Sequence, residues 1–252
     1  MLTPTQRFSS RVDNYVRFRP GYPTGVLDFL RRECGLNAES VVADIGSGTG
    51  KLTELVLQSG CCVVGVEPNQ EMREAGERLL NSNTRFTSIA ATAEATSLPG
   101  ECFDLVVAGQ AFHWFDHARS RTEFRRILKP GGWLILIWND RMTDSTPFLV
   151  AYEALLCEFA TDYAQVNHRN IDASRLRLFF GTDPVLVQCP NVQHFDFEAL
   201  KGRLLSSSYA PEEGQPKHNT MLFELRRIFD AHQQNGKVSF VYDTLIYYGR
   251  LT

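Results

Sequence analysis

The run Val41-Val42-Ala43-Asp44-Ile45, followed at once by Gly46-Ser47-Gly48-Thr49-Gly50, decides how this chain is read. The first five residues form a short, nearly all-apolar segment of the kind a strand covered on both faces carries. Three glycines in the next five let the backbone turn tightly and let a ligand approach without Cβ obstruction. Lys51–Gln58 then places leucines at 52, 55 and 57, a helical spacing, and Gly60 closes it. Strand, glycine loop and helix together present a helix N-terminus at the carboxyl end of a strand, where doubly wound sheets bind nucleotides. Two fingerprints fail on named positions. A dinucleotide loop, G-x-G-x-x-G, needs glycine where Lys51 stands. A triphosphate loop, G-x-x-x-x-G-K-[ST], needs glycine at Ile45 and a hydroxyl at Leu52. What remains is D-x-G-x-G-x-G, with an acid, Glu67, at the end of the next apolar run, Cys61–Val66. A carboxylate there can accept hydrogen bonds from both ribose hydroxyls of an adenosine lying across the sheet. The competing role is a helix-entry acid favoured by the helix dipole.

Outward from this stretch the rhythm is regular. Residues 25–35 read as a helix stopped by Gly35, Gln70–Leu80 as a second helix, Arg85–Ala90 as a third strand and Phe103–Ala108 as a fourth. A helix from about Arg119 to Leu128 ends at Lys129-Pro130-Gly131-Gly132, read as a sharp stop and turn. Trp133–Trp138 is a fifth strand. Alternation of this kind implies right-handed crossovers and a parallel sheet. Residues 1–24 are polar and aromatic, and Arg19-Pro20-Gly21-Tyr22-Pro23 marks a turn, not a helix. Beyond Asn139 the rhythm breaks: 147–162, 171–180, 198–206 and 219–233 read as helical, and Val185–Phe197 and Val238–Tyr248 as strands.

Composition excludes several classes. The chain has 252 residues, 43% of them apolar, enough for one generous domain. A formal net charge of -3 argues against a nucleic-acid footprint, and the short basic pairs Arg125-Arg126 and Arg226-Arg227 read as solvated helix faces. The six cysteines form no C-x-x-C pair, and adjacent Cys61 and Cys62 should face opposite ways on a strand. No metal-ligand spacing links the histidines at 168, 194, 218 and 232, so no metal is expected. Met1–Ser10 lacks an apolar signal-peptide core and no run is long enough for a bilayer, so the expectation is a cytoplasmic protein without a membrane partner.

Five motifs in order now carry a resemblance: Val41–Gly50; Val64-Gly65-Val66-Glu67-Pro68; Ala91-Thr92-Ala93-Glu94; Phe103–Gln110; and Arg126–Gly132. Over roughly residues 8–139 the chain resembles the class I S-adenosylmethionine-dependent methyltransferases of the type 11 group. Tyr15–Pro23, Gln110–Asp116 and Leu200–Tyr209 are similar to phrases of the small-molecule trans-aconitate and lipotoxin-resistance type. The resemblance implies S-adenosylmethionine as cofactor, with S-adenosylhomocysteine as product, and no metal. It implies that Gly46, Ser47, Gly48 and Gly50 line the methionine and ribose portion, and that Glu67 holds the ribose diol. Pro68, Asn69 and Met72 would border the adenine, and Ala93 would offer it a backbone amide beside Glu94. Gln110 would contact the methionine portion, and Tyr15 or Arg19 would close over the cofactor. Asp44 would orient the loop or reach the methionine end through water; a turn-stabilising role competes. One position departs: Thr92 stands where many relatives carry an aspartate for the adenine amino group, a weaker acceptor without charge.

Methyl transfer from a sulfonium is an in-line displacement in which alignment supplies much of the acceleration. A carboxylate acceptor needs no base, whereas a protic acceptor can require one. His113 is the candidate base or acceptor-positioning group, with a hydrogen bond to a neighbouring loop as its alternative. His117 is read as a solvent-facing helix cap and Trp114 as a pocket wall or, rather more, as core. Tyr15, Tyr22 and Trp138 are candidates for cation–π contact with the sulfonium. Arg19, Arg141 and Arg203 are available to an acidic acceptor.

The sequence therefore predicts a Rossmann-like, doubly wound, seven-stranded α/β sheet. It is mostly parallel with the last strand antiparallel, and residues near 185–197 and 238–248 form a terminal hairpin-like pair. Residues 1–252 form a single domain in which 1–24, 140–184 and 198–236 make an acceptor-side lid. The expected reaction methylates a small-molecule acceptor, a carboxylic acid among the candidates, in a monomer or homodimer that binds no nucleic acid. The rivals are a non-catalytic S-adenosylmethionine-binding regulatory module and a nucleic-acid or protein methyltransferase. An enzyme would show an enclosed, mostly apolar acceptor pocket with a few polar groups; a regulatory module would fill that side.

Overall fold

Val41–Ile45 forms β1 at the centre of the sheet in a computed structural model that describes residues 12–161, 163 and 173–252. Val42, Ala43 and Ile45 are fully buried because β1 is flanked by strands and covered on both faces. β2 (Cys62–Val66) and β4 (Phe103–Gly109) pair with it in parallel, Ala43 lying opposite Val64 on one side and Val106 on the other. β3 (Phe86–Ile89) extends the sheet beyond β2, and β5 (Leu128–Arg141) lies beyond β4. β7 (Val238–Gly249) then pairs antiparallel with β5, and β6 (Val185–Phe195) antiparallel with β7. The order is β3-β2-β1-β4-β5-β7-β6. Successive strands are added outward on one side from β1 to β3 and on the other side from β4 to β5, and this switch opens a crevice at the carboxyl ends of β1 and β4. The predicted seven-stranded sheet and its terminal antiparallel pair are both present.

Helices cover the two faces. α2 (Thr24–Cys34) and α3 (Lys51–Leu57) pack Leu27, Leu30, Leu52 and Val56 on one. α5 (His117–Ile127) and α7 (Ala173–Phe180) pack Phe124, Ile127, Phe179 and Phe180 on the other, and α4 (Gln70–Leu80) joins β2 to β3. A third apolar cluster gathers α6 (Pro147–Phe159), α8 (Phe197–Leu205) and α9 (His218–His232) around Phe240 and Tyr242 of β7.

The structure corrects the sequence reading in three places. Val12–Phe18 is a helix, α1, where only polar and turn-forming chain was expected. It ends before Arg19-Pro20, since a residue preceding proline leaves the helical region. Its stability is tertiary: Tyr15 and Val16 pack against Met72 and Ala75 of α4, and Lys51 Nζ donates to the Val16 carbonyl at 2.8 Å. β5 is longer than predicted and runs through Lys129–Gly132, where the pairing register with β4 shifts between Phe103 and Leu105 and Gly131 takes a φ of 74°. The glycine pair makes an irregularity within the strand, not its stop. The cap of α5 is Asp116, whose carboxylate accepts from the Ala118 and Arg119 amides; His117 instead lies flat on Phe112, centroids 4.2 Å apart. As expected, Cys61 is buried and Cys62 exposed. His168 and the parts of the predicted lid at 1–11, 162 and 164–172 lie outside the described residues, among which no helix is long and apolar enough to cross a membrane.

Candidate functional site

The glycine loop sits at the β1/β4 crevice. Gly46, Gly48 and Gly50 have φ of 70°, 56° and 82°, the left-handed region open to glycine. The loop is held from the neighbouring strand. The Val66 carbonyl accepts from the Gly46 amide at 2.8 Å, Glu67 Oε2 accepts from the Gly48 amide at 2.9 Å, and Glu67 Oε1 accepts from the Asn69 amide at 2.8 Å. Asn69 caps α4 by accepting from the Met72 amide at 2.8 Å. Glu67 is only 8% exposed. Burial pushes its carboxyl above the usual value, against the pull of the two amides. Asp44 is more extreme: Oδ2 accepts from Thr53 Oγ1 at 2.6 Å, while Oδ1 is buried with no hydrogen-bond partner. Burial pushes the Asp44 carboxyl up to about 7. A buried carboxylate oxygen without a donor calls for one from a ligand.

Two cavities meet at this loop and share Tyr15, Gly46, Gly48, Gly109, Gln110 and Trp114 as wall. The first extends over β2 and the β3–β4 connection, bounded by Glu67, Pro68, Asn69 and Met72 on one side and by Thr92, Ala93, Glu94, Ala111 and Phe115 on the other. Glu94 is fixed there by accepting from the Asp116 amide at 2.8 Å. Gln110 adopts a φ of 58°, and its side chain donates to the Asn139 carbonyl at 3.2 Å.

The second cavity reaches from Asp44 and Ser47 toward α8 and the end of β5, and three guanidinium groups converge on it. Arg19 donates to Ser206 Oγ and to the Ser206 carbonyl, both at 3.1 Å, and lies over the Tyr15 ring at 5.2 Å. Arg141 pairs with Glu153 and donates to Tyr163 Oη at 3.2 Å. Arg203, 6% exposed, donates to Ser207 Oγ at 3.2 Å, and its Nε is buried without a partner. Burial lowers the Arg19 pKa and the charge of Arg203 lowers it further. Burial also opposes the charge of Arg203, but the phenols of Tyr242, Tyr152 and Tyr209 outweigh it and raise its pKa. Burial likewise disfavours ionisation of Tyr209, yet the charges of Arg203 and Arg19 hold its phenol below the usual value. His113 and Trp114 form the opposite wall, rings tilted at 4.6 Å.

Residues 43–136 match the family described as Methyltransferase domain. That match covers the part of the chain from β1 to β5, and the fold of the whole resembles those of solved methyltransferases. Among curated relatives, the uncharacterized methyltransferase Rv3342 of Mycobacterium tuberculosis is 40% identical over 53% of this chain and 52% of its own length. The alignment thus spans about half of that relative. The uncharacterized methyltransferase C25B8.09 of Schizosaccharomyces pombe is 28% identical over 95% of both chains. Among solved structures, a candidate type II methyltransferase of Anaeromyxobacter dehalogenans superposes with a TM-score of 0.68 at 20% identity, over 93% of this chain and 98% of that one, a likeness of fold.

The first cavity gathers Tyr15, Gly46, Gly48, Glu67, Pro68, Asn69, Met72, Thr92, Ala93, Glu94 and Gln110, and the second gathers Tyr15, Arg19, Asp44, Gly46, Ser47, Gly48, Gln110 and His113. Gly50 lines neither: it is the N-cap of α3, where a Cβ would meet Leu80 of α4. Trp138 also lines neither and packs edge-on against Phe112 and Tyr247. Trp114, favoured as core, is half-buried and walls both cavities. Sequence reasoning gave no role to Ala111 and Phe115 beside Thr92, or to Tyr163, Tyr209 and Tyr242 beside the arginines, although Ala111, Phe115 and Tyr209 lie within Gln110–Asp116 and Leu200–Tyr209. The second cavity is an open space rich in guanidinium and phenol groups, not the mostly apolar pocket expected of an enzyme. The cofactor implied by the fold suits the donor set: glycines allow close approach, and the unpartnered Asp44 Oδ1 suits a ligand carrying an ammonium group.

Proposed function

We propose that this chain transfers the methyl group of S-adenosylmethionine to a small-molecule carboxylic acid. The observation that carries the acceptor assignment is the convergence of Arg19, Arg141 and Arg203 on the cavity next to the glycine loop. Guanidinium groups match carboxylates in charge and geometry, and three beside one cavity favour an acidic guest over an amine. The cofactor supplies an electrophilic methyl group on a sulfonium. The chain supplies position. Glu67, already holding the loop through Gly48 and Asn69, keeps lone pairs for the ribose diol. Pro68, Met72, Thr92, Ala93 and Glu94 border the adenine, and Asp44, Ser47 and Gln110 receive the methionine end. A carboxylate is already nucleophilic when ionised, so His113 orients the acceptor and is not required to remove a proton.

We further assign the segments 1–24, 140–184 and 198–236 to an acceptor-side lid on a single domain, in keeping with α1, α6, α8 and α9 being gathered at this end of the sheet. Such lids exclude water and commit the substrate. The test is a transfer assay with methyl-labelled S-adenosylmethionine against pools of small carboxylic acids, phenols and amines. Label is expected in the acid pools; label confined to amines or phenols, or no product in any pool, contradicts the assignment.

A further inference from the structure

Arg19 and Arg203 reach the acceptor cavity from distant parts of the chain. Arg19 belongs to the strap that follows α1, and Arg203 lies in α8. Their hydrogen bonds go to neutral partners, Ser206 and Ser207. The charge of Arg203 acts on Arg19, and the phenols of Tyr209 and Tyr242 act on both. Arg141 differs, since Glu153 already neutralises it. Arg203 is 6% exposed, and its Nε is buried without a partner. Two guanidinium groups thus line one cavity, whose wall also carries Asp44 and Asp140, and both are hydrogen-bonded to serine oxygens, an arrangement that an anion between them would complete.

The strap is seated on both sides of Arg19. Upstream, Lys51 Nζ holds the Val16 carbonyl, and Phe18 lies in a notch of α8 left by Gly202, where a Cβ would run into its ring. Downstream, Asn139 and Asn191 donate to the Gly21 carbonyl at 3.1 and 3.0 Å. Tyr15, under the Arg19 guanidinium, belongs to the walls of both cavities. What holds Arg19 therefore also fixes a wall of the donor cavity.

We infer that an anionic group of the acceptor bridges Arg19 and Arg203 and tightens the strap where it sits on α8, so that acceptor and cofactor bind with positive coupling. Without the anion, the two like charges loosen the seated strap; with it, each is paired and Tyr15 is held more firmly between the two cavities. Coupling of this kind is reciprocal: whatever the acceptor does for cofactor affinity, the cofactor does for acceptor affinity. The inference rests on the proposed carboxylic-acid acceptor and on the first cavity being the cofactor site.

The test titrates S-adenosylhomocysteine into the full chain by calorimetry, in sodium chloride and in sodium malonate at matched ionic strength. Malonate is expected to tighten the product cofactor by about tenfold, within the usual range of coupling. Arg203→Gln and Arg19→Gln, whatever affinity each shows in chloride, should lose the malonate effect. Equal affinity in the two salts, or a malonate effect surviving in either variant, overturns the bridge. Should Arg203→Gln fail to fold, Arg19→Gln decides alone. S-adenosylhomocysteine that binds in neither salt sinks the cofactor-site reading instead, which separates the two failures.

Discussion

Replacing Glu67 by alanine tests the donor cavity most sharply. In the free protein this carboxylate accepts from the Gly48 and Asn69 amides at 2.9 and 2.8 Å and is 8% exposed. Alanine removes both acceptors, but it opens space beside a cavity, so water can satisfy the two amides and soften the loss of stability. The effect on the cofactor is larger. Two charge-assisted bonds to the ribose diol are worth about 1.5–3 kcal/mol each. Losing both costs about 3 kcal/mol or more, which is on the order of a hundredfold in affinity. Glu67→Gln keeps one acceptor oxygen and the side-chain volume while losing the charge, so it should fall between wild type and alanine. Calorimetric titration with S-adenosylhomocysteine measures both, and thermal melting establishes that the variants fold. A folded Glu67→Ala protein whose affinity stays within about twofold of wild type would refute the reasoning, since a ribose diol held elsewhere would not notice the change.

Three further outcomes follow from the geometry. The folded pKa of Asp44, about 7, lies above its unfolded value of about 3.9, so its protonated form favours folding. That contribution is complete below about pH 4 and is lost as the pH rises through about 7. Asp44→Asn should therefore gain in melting temperature on wild type across that interval while losing the pH dependence of S-adenosylhomocysteine affinity; parallel melting curves would contradict it. Gly109→Ala places a Cβ against the Tyr22 hydroxyl, an overpacking of about 1–3 kcal/mol. It should displace the strap and weaken the product cofactor, and unchanged affinity by calorimetry would count against the strap as part of the site. His113→Gln should lower kcat by less than about tenfold, without a new pH dependence; a loss of about a hundredfold or more would make His113 a proton acceptor.

The sheet was legible because buried parallel strands leave continuous apolar runs, as at Val41–Ile45 and Trp133–Trp138, and because Gly35 and Gly60 punctuate what lies between. The residues that line the first cavity were legible as a group for a related reason. Most of its wall comes from short contiguous motifs at the ends of β1, β2 and β4. α1 was not, since Val12–Phe18 owes its helix to packing on Met72 and Ala75 and to the Lys51 bond, none of which is local. Gly131-Gly132 was read as a stop, although within a paired strand the same residues make a bulge. The acceptor cavity was least legible. Arg19, Arg141 and Arg203 were noticed as available cations, but only the fold brings a strap, the end of β5 and α8 to one place.

The acid-acceptor claim stands or falls on the chemistry of the methylated product. A carboxyl methyl ester hydrolyses in mild alkali and releases its methyl group as volatile methanol, whereas aryl ethers, methylamines and carbon-linked methyl groups do not. After reaction with methyl-labelled S-adenosylmethionine, the account predicts that alkali moves the label into the volatile fraction; label that stays with the acceptor would contradict it.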